Sequence, residues 1–312
     1  MKKIVIIVLV AIVTIFVGWE IVSSWIPKFS TYQQQIKYAD EQYRRAGEIE
    51  EIAFYMPSIA VGEFIKHTFY KNAWKRSVRA YNVLLKLYPK EASQDIDVWL
   101  ALADSHLSLK NYDKALELYQ KELELFRQKY FKNPHYSEKK GVGPKDVEFL
   151  EYSRLIRTHR SIASCYNAKK DYRKGLEEYN KILDLLPEVR YIDESEKYKL
   201  FGSTFESVGK LYKVIFKDYD KAIEIYTKLA TEIPLATAQS QAEIYIGDTY
   251  LAKGDVAKAK EIYDEVVARY KPNYLGYYNF AEDRIKGISK GKVIATDGVV
   301  YEIKDNKVIV KY

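Results

Sequence analysis

The chain has 312 residues, 47% hydrophobic and 30% charged, which excludes a disordered composition and leaves room for two or three ordinary domains or one long repeat array. Its 29 Tyr against 14 Gly and 8 Pro disfavour a turn-rich β-sandwich and suit long helices with aromatic packing. A single cysteine, Cys165, excludes an intrachain disulfide and a cysteine-built zinc site, and the net charge of +7 comes without a compact basic run, so nucleic acid is not an expected partner.

The first element is the apolar opening, MKKIVIIVLVAIVTIFVGWEIVSSWIPKF. Ile4 to Ile26, interrupted only by Glu20, is long enough as a helix to cross a hydrocarbon core of about 30 Å. Trp19 and Trp25 suit the interface, and Lys2 and Lys3 favour a cytoplasmic N-terminus. Residues 1–28 are therefore expected to be a transmembrane anchor or uncleaved signal, with the bulk of the chain periplasmic or extracellular. The alternative is a cleaved signal peptide, since Val22-Ser23-Ser24 offers small residues to a peptidase.

Residues 29–57 come next as a juxtamembrane helix. Tyr32, Ile36, Ala39, Tyr43 and Ala46 alternate by four and three over about two heptads. Two readings fit: a helix packing on the first helical hairpin after it, or a dimerising stalk that makes a homodimer.

Residues 58–272 carry a recurring frame: a small residue, an apolar side chain three before it and Tyr four after it. The frames centre on Ser77 (Trp74, Tyr81), Ala115 (Tyr112, Tyr119), Gly175 (Tyr172, Tyr179), Ala222 (Tyr219, Tyr226) and Ala259 (Val256, Tyr263). Positions i−3, i and i+4 line one helical stripe, and a small centre admits a close neighbour. Pro89, Pro187 and Pro234 follow twelve residues later, and Pro272 thirteen, where a helix should stop. Upstream of the last four frames lies a second helical pattern, around Ala103, Ala163, Gly209 and Gly247. Polar dipeptides separate the two: Lys110-Asn111, Lys170-Asp171, Lys217-Asp218 and Gly254-Asp255, with one extra residue before the third. Each unit is thus a helix-turn-helix hairpin that buries its stripe only by stacking on the next.

On these frames the chain resembles the tetratricopeptide repeat (TPR) family from about Ile59 to Pro272. The opening helix of its first unit, Ile59 to Tyr70, lacks the small residue. Distances between small residues are 38, 60, 47 and 37, against about 34 in the family. The extra length falls in Gln128–Asp146 and Glu188–Glu196, expected to loop off one face. The fold class expected is all-α: a TPR-type α-solenoid of stacked helical hairpins, with an N-terminal transmembrane helix and a small C-terminal antiparallel β meander.

The resemblance further implies that the first helix of each hairpin lines a concave groove for a protein or peptide partner. Carried over by register, the groove residues are Asp97, Leu100 and Asp104, then Arg157, Arg160 and Asn167, then Glu206, Lys210 and Lys213, then Gln241, Ile244 and Asp248. The Arg and Lys side chains would form a basic centre suited to a carboxylate or acidic segment.

After the repeats, 273–290 is expected to hold a closing helix, read over Tyr274 to Ile288. Then KVIATDGVVYEIKDNKVIVKY alternates apolar and polar, broken at Asp297-Gly298 and Asp305-Asn306, which predicts three antiparallel strands over 291–312. They either cap the array or offer an edge to a partner.

Nothing along the chain assembles into a catalytic or metal-binding constellation. His106 and His159 fall on packing stripes, Cys165 sits mid-helix, and Gly141–Lys145 lacks the Gly-Lys-Ser/Thr of a phosphate loop. No cofactor and no metal are expected. The functional expectation is a non-enzymatic scaffold tethered to the membrane, engaged in envelope assembly or secretion. The alternative is a structural subunit of a larger membrane-associated complex.

Overall fold

The structure is a computed structural model that describes residues 26–55, 60–130, 144–273, 275–304 and 307–311. Two compact units divide the chain, Met1–Pro134 and His135–Tyr312. Among the described residues no helix is long and apolar enough to cross a membrane. The expected anchor lies outside them as far as residue 25, as do Gly141–Gly143.

In the first unit, α1 (Tyr32–Tyr55) runs against α2 (Ala60–Leu87); a short α3 (Pro89–Gln94) leads into α4 (Ile96–Ser108) and α5 (Tyr112–Tyr130). The juxtamembrane seam is spent inside the chain. Ala39 and Ala46 are fully buried, and Tyr43 stacks edge-on against Trp74 of α2, 5.6 Å between centroids. From Ala60 on, the expected opening helix is instead the start of α2. The 28-residue α2 is the second helix of the first hairpin, and α1 is the first. Trp99 of α4 is buried too, with the Lys121 ammonium 3.7 Å above its ring.

The second unit stacks three hairpins: α6 (Pro144–Ala168) with α7 (Tyr172–Leu183), α8 (Glu194–Lys210) with α9 (Tyr219–Glu232), and α10 (Ala236–Lys253) with α11 (Val256–Tyr270). The closing helix α12 (Tyr278–Ser289) starts later than the sequence pattern suggests. Gly276 is left-handed at φ +65°, and the Tyr277 amide donates to Ser240 Oγ, so the chain turns before it coils. Glu188–Glu196 does not loop off either: Val189 and Ile192 return to the core.

Every predicted frame is at the centre of the packing. Ser77, Ala115, Gly175, Ala222 and Ala259 are buried, as are Tyr81, Tyr119, Tyr179, Tyr226 and Tyr263. A Cβ on Gly209 or Gly247 would fall inside the ring of Tyr226 or Tyr263, so the small residues of the first helices are seats for the tyrosines of the second. The turns share one device. Lys110, Lys170, Lys217 and Gly254 are left-handed, at φ 62°, 63°, 57° and 92°. The amide after each reaches back to His106, Tyr166, Tyr212 and Tyr250 carbonyls, which closes the helix end. Asp171, Asp218 and Asp255 then cap the next helix by accepting from the amide three residues on.

The third turn hides the extra residue elsewhere. Leu211–Phe216 is a π-helical segment, so the insertion widens the helix rather than the turn.

The chain ends in β1 (Lys292–Ile294), β2 (Val300–Lys304) and β3 (Lys307–Lys311), an antiparallel sheet in that order. Val293, Ala295, Val299 and Tyr301 are buried in one cluster with Ile244, Leu251, Tyr263 and Ala281, so one sheet face seals the last helices.

Candidate partner-binding face and its terminal cavity

Repeat hairpins carry recognition on first-helix side chains that the stacking leaves available. The residues expected to do so divide sharply once their contacts are followed.

In the first unit, Leu100 is buried in α4, and the Asp97 amide closes a turn on Asp95 Oδ1 at 3.0 Å. Asp104 is a hub of three helices. Its two oxygens accept from the phenols of Tyr119 (α5) and Tyr43 (α1), each at 2.6 Å.

In the second unit, Arg157 and Lys210 are exposed, and Glu206 is half-buried. Arg160 turns inward. Its guanidinium donates to the Leu200 carbonyl at 3.0 Å and to Thr204 Oγ1 at 3.4 Å, joining α6 to α8, and burial lowers its pKa. Asn167 lays its amide over Gly175, where a Cβ would strike it. Asp248 is buried, with one oxygen accepting from Tyr263 at 2.7 Å and from Arg284 Nε of α12 at 3.1 Å.

Lys213 is the largest departure from a groove position. The π-helical segment turns it inward, to 2% side-chain exposure. Its ammonium lies 2.7 Å from Asp297 Oδ2, itself 5% exposed, on the β1–β2 turn. Burial raises the Asp297 pKa, but Lys213 and the Val299 amide outweigh it and leave a net lowering. Lys210 adds a bond to the Asp297 carbonyl at 3.2 Å. These two lysines meet at one turn instead of forming a basic centre with Arg160.

Gln241 and Ile244 meet elsewhere. Together with Tyr245 of α10, Tyr277 and Phe280 at the start of α12, and Thr296 of the β1–β2 turn, they line a cavity of about 230 Å³. Gln241 donates to Tyr245 Oη at 2.7 Å and accepts from Tyr198 of α8, so the polar end of the wall is held rigid. The Tyr245 ring lies 5.0 Å from that of Tyr226. Burial raises the Tyr245 phenol, and Glu206 beside it adds to the effect, so it stays a neutral donor at physiological pH. Phe280 is 41% exposed at the mouth.

Tyr277, Phe280 and Thr296 carry no signal as site residues in the sequence, because they come from the closing helix and the strand turn, outside the repeat register. Tyr245 carries one: it stands four residues after Gln241, on the same helical stripe.

These stacked hairpins, each with a buried tyrosine seated on a small residue, define a helical-repeat interaction scaffold, a class that holds protein or peptide partners. Residues 96–129 match one family described as tetratricopeptide repeat, and residues 241–272 match a second with the same description. These two segments of the chain carry tetratricopeptide repeats. Comparison with curated protein sequences gives no match. Similar solved structures include MamA, at 15% identity over 70% of this chain and 98% of that one, TM-score 0.41. BtubC (BKLC) from P. vanneervenii is 19% identical over 80% of this chain and 94% of its own, TM-score 0.44. YrrB, described as a TPR protein with an unusual peptide-binding site, is 14% identical over 76% and 93%, TM-score 0.35.

Proposed function

We propose that this protein is a non-enzymatic scaffold that holds an extended segment of a partner along the first-helix face of its second unit, with one large apolar side chain of that segment seated in the cavity at Phe280. The cavity carries the reading. At about 230 Å³ it exceeds the roughly 150 Å³ that holds a benzene ring and falls short of the roughly 300 Å³ where drug-sized sites begin. Its aromatic and aliphatic walls suit a single ring or branched chain.

The finer part of the proposal is a tether: residues 1–28 as a single-pass anchor, N-terminus cytoplasmic, the repeats periplasmic or extracellular. Its support is the uncharged run after Lys2 and Lys3. A role in envelope assembly or secretion belongs with that location.

A photo-crosslinking phenylalanine analogue at Phe280, in the full chain in its own cells, should give discrete adducts, and the same analogue at exposed Tyr191 should not. Equal, diffuse labelling at both positions refutes the cavity as a seat. Persistence of the chain in membranes through a carbonate wash is the expected result for the tether, and release overturns it.

A further inference from the structure

The second face of the C-terminal sheet has no part in the partner-binding reading, and its composition is unusual. Cross-strand register puts Lys292 opposite Glu302, which faces Ile309; Ile294 opposite Val300, which faces Lys311; and Lys304 opposite Lys307. These alternate with the buried Val293 and Tyr301, so they share the outward face. Ile294 is 57% exposed and Ile309 47%. Among the described residues, Glu302 is the one acid on this face. It pairs with Lys311 at 2.6 Å, and Lys292 and Lys304 are close enough to help lower its pKa after that hydrogen bond. The outward face thus sets Lys292, Lys304, Lys307 and Lys311 against Glu302.

We propose that this face docks on an anionic lipid surface. Four lysines around two exposed isoleucines and a valine supply both forces that hold a peripheral surface to such a membrane: attraction of ammonium groups to headgroups, and shallow burial of aliphatic side chains among them. Lysines on an edge strand also discourage strand-to-strand pairing, but that role asks for no isoleucines beside them and for no lysine on the central strand β2. A single-stranded nucleic acid would be met by aromatic stacking surfaces, and the outward residues of this face include no aromatic ring. The inference does not depend on the cavity or on the N-terminal anchor.

Cys165 is buried, so one introduced cysteine can carry an environment-sensitive fluorophore. The full chain with Ile309→Cys, labelled and mixed with vesicles, should show a blue-shifted emission with phosphatidylglycerol and none with phosphatidylcholine. Tyr191→Cys should give the same spectrum in both. Adding Lys292→Glu or Lys307→Glu should weaken docking about fivefold per site, the equivalent of roughly 1 kcal/mol per lysine near such a surface. Raising the salt on the chain labelled at Ile309→Cys should reverse the shift without any charge substitution. Identical spectra in the two lipids, or a shift indifferent to both salt and charge reversal, overturns the proposal. So does a response to a duplex oligonucleotide in the absence of a response to vesicles.

Discussion

The α4–α5 hairpin of the first unit and the α8–α9 hairpin of the second start from the same plan and end differently. Both have a small residue under a buried tyrosine and a left-handed lysine in the turn. In α4–α5 the spacing between small residues is regular, and Tyr119 finds an acceptor on its own hairpin in Asp104. In α8–α9 one added residue becomes a π-helical segment, and the position beside the small residue is Lys210, no acceptor. The segment sends Lys213 to a carboxylate on the sheet. One inserted residue thus converts a hairpin that satisfies itself into one that is tied to the end of its unit.

Breaking the tie should have the largest effect. Lys213→Met leaves Asp297 buried without its counter-ion and should destabilise the second unit by about 3–5 kcal/mol in urea unfolding. Its pH dependence should also invert. In the unmodified chain Asp297 titrates below its unfolded value of about 3.9, so the pair stabilises above that pH and the contribution is lost as pH falls through the folded value. Without Lys213, burial dominates and lifts the folded pKa, so acidification should recover stability in the variant while the parent loses it. A variant that tracks the parent below pH 5 would show the pair to be inert.

In the regular hairpin the matching change is Asp104→Ala. It strands two phenols, and about 1–3 kcal/mol should be lost from the first unit. A partly additive result with Tyr119→Phe would measure how much of the loss lies in that one bond. The smallest effect is one the two hairpins should share: Lys110→Gly and Lys217→Gly relieve the same left-handed strain and should each stabilise by about 1 kcal/mol. A gain at one site and not the other would mark the π-helical segment as already having relaxed its turn.

The repeat core is legible in the sequence because it obeys helix periodicity: the Ala115/Tyr119 and Ala259/Tyr263 frames announce a stripe whichever partner they pack on. Two things are not. The first hairpin escapes because α2 runs 28 residues without a break, and nothing in Ile59–Tyr70 shows that its partner lies before it. The face is harder still. Asp104 and Asp248 look like solvated acids one position from the stripe, yet a tyrosine fifteen residues on reaches back to each. Lys213 can be placed only by knowing that the added residue coils inside the helix. Phe280 and Thr296 reach the cavity through tertiary packing that no local period records.

Trp74 and Trp99, both buried, belong to the first unit, and residues 135–312 contain 0 tryptophans against a wealth of tyrosine. Red-edge excitation of the intrinsic emission therefore watches one half of the molecule and is blind to the other. With the ammonium of Lys121 resting on one indole, that signal should brighten or dim as α5 frays. Melting followed by this light and by circular dichroism would tell whether the two halves surrender together or in turn.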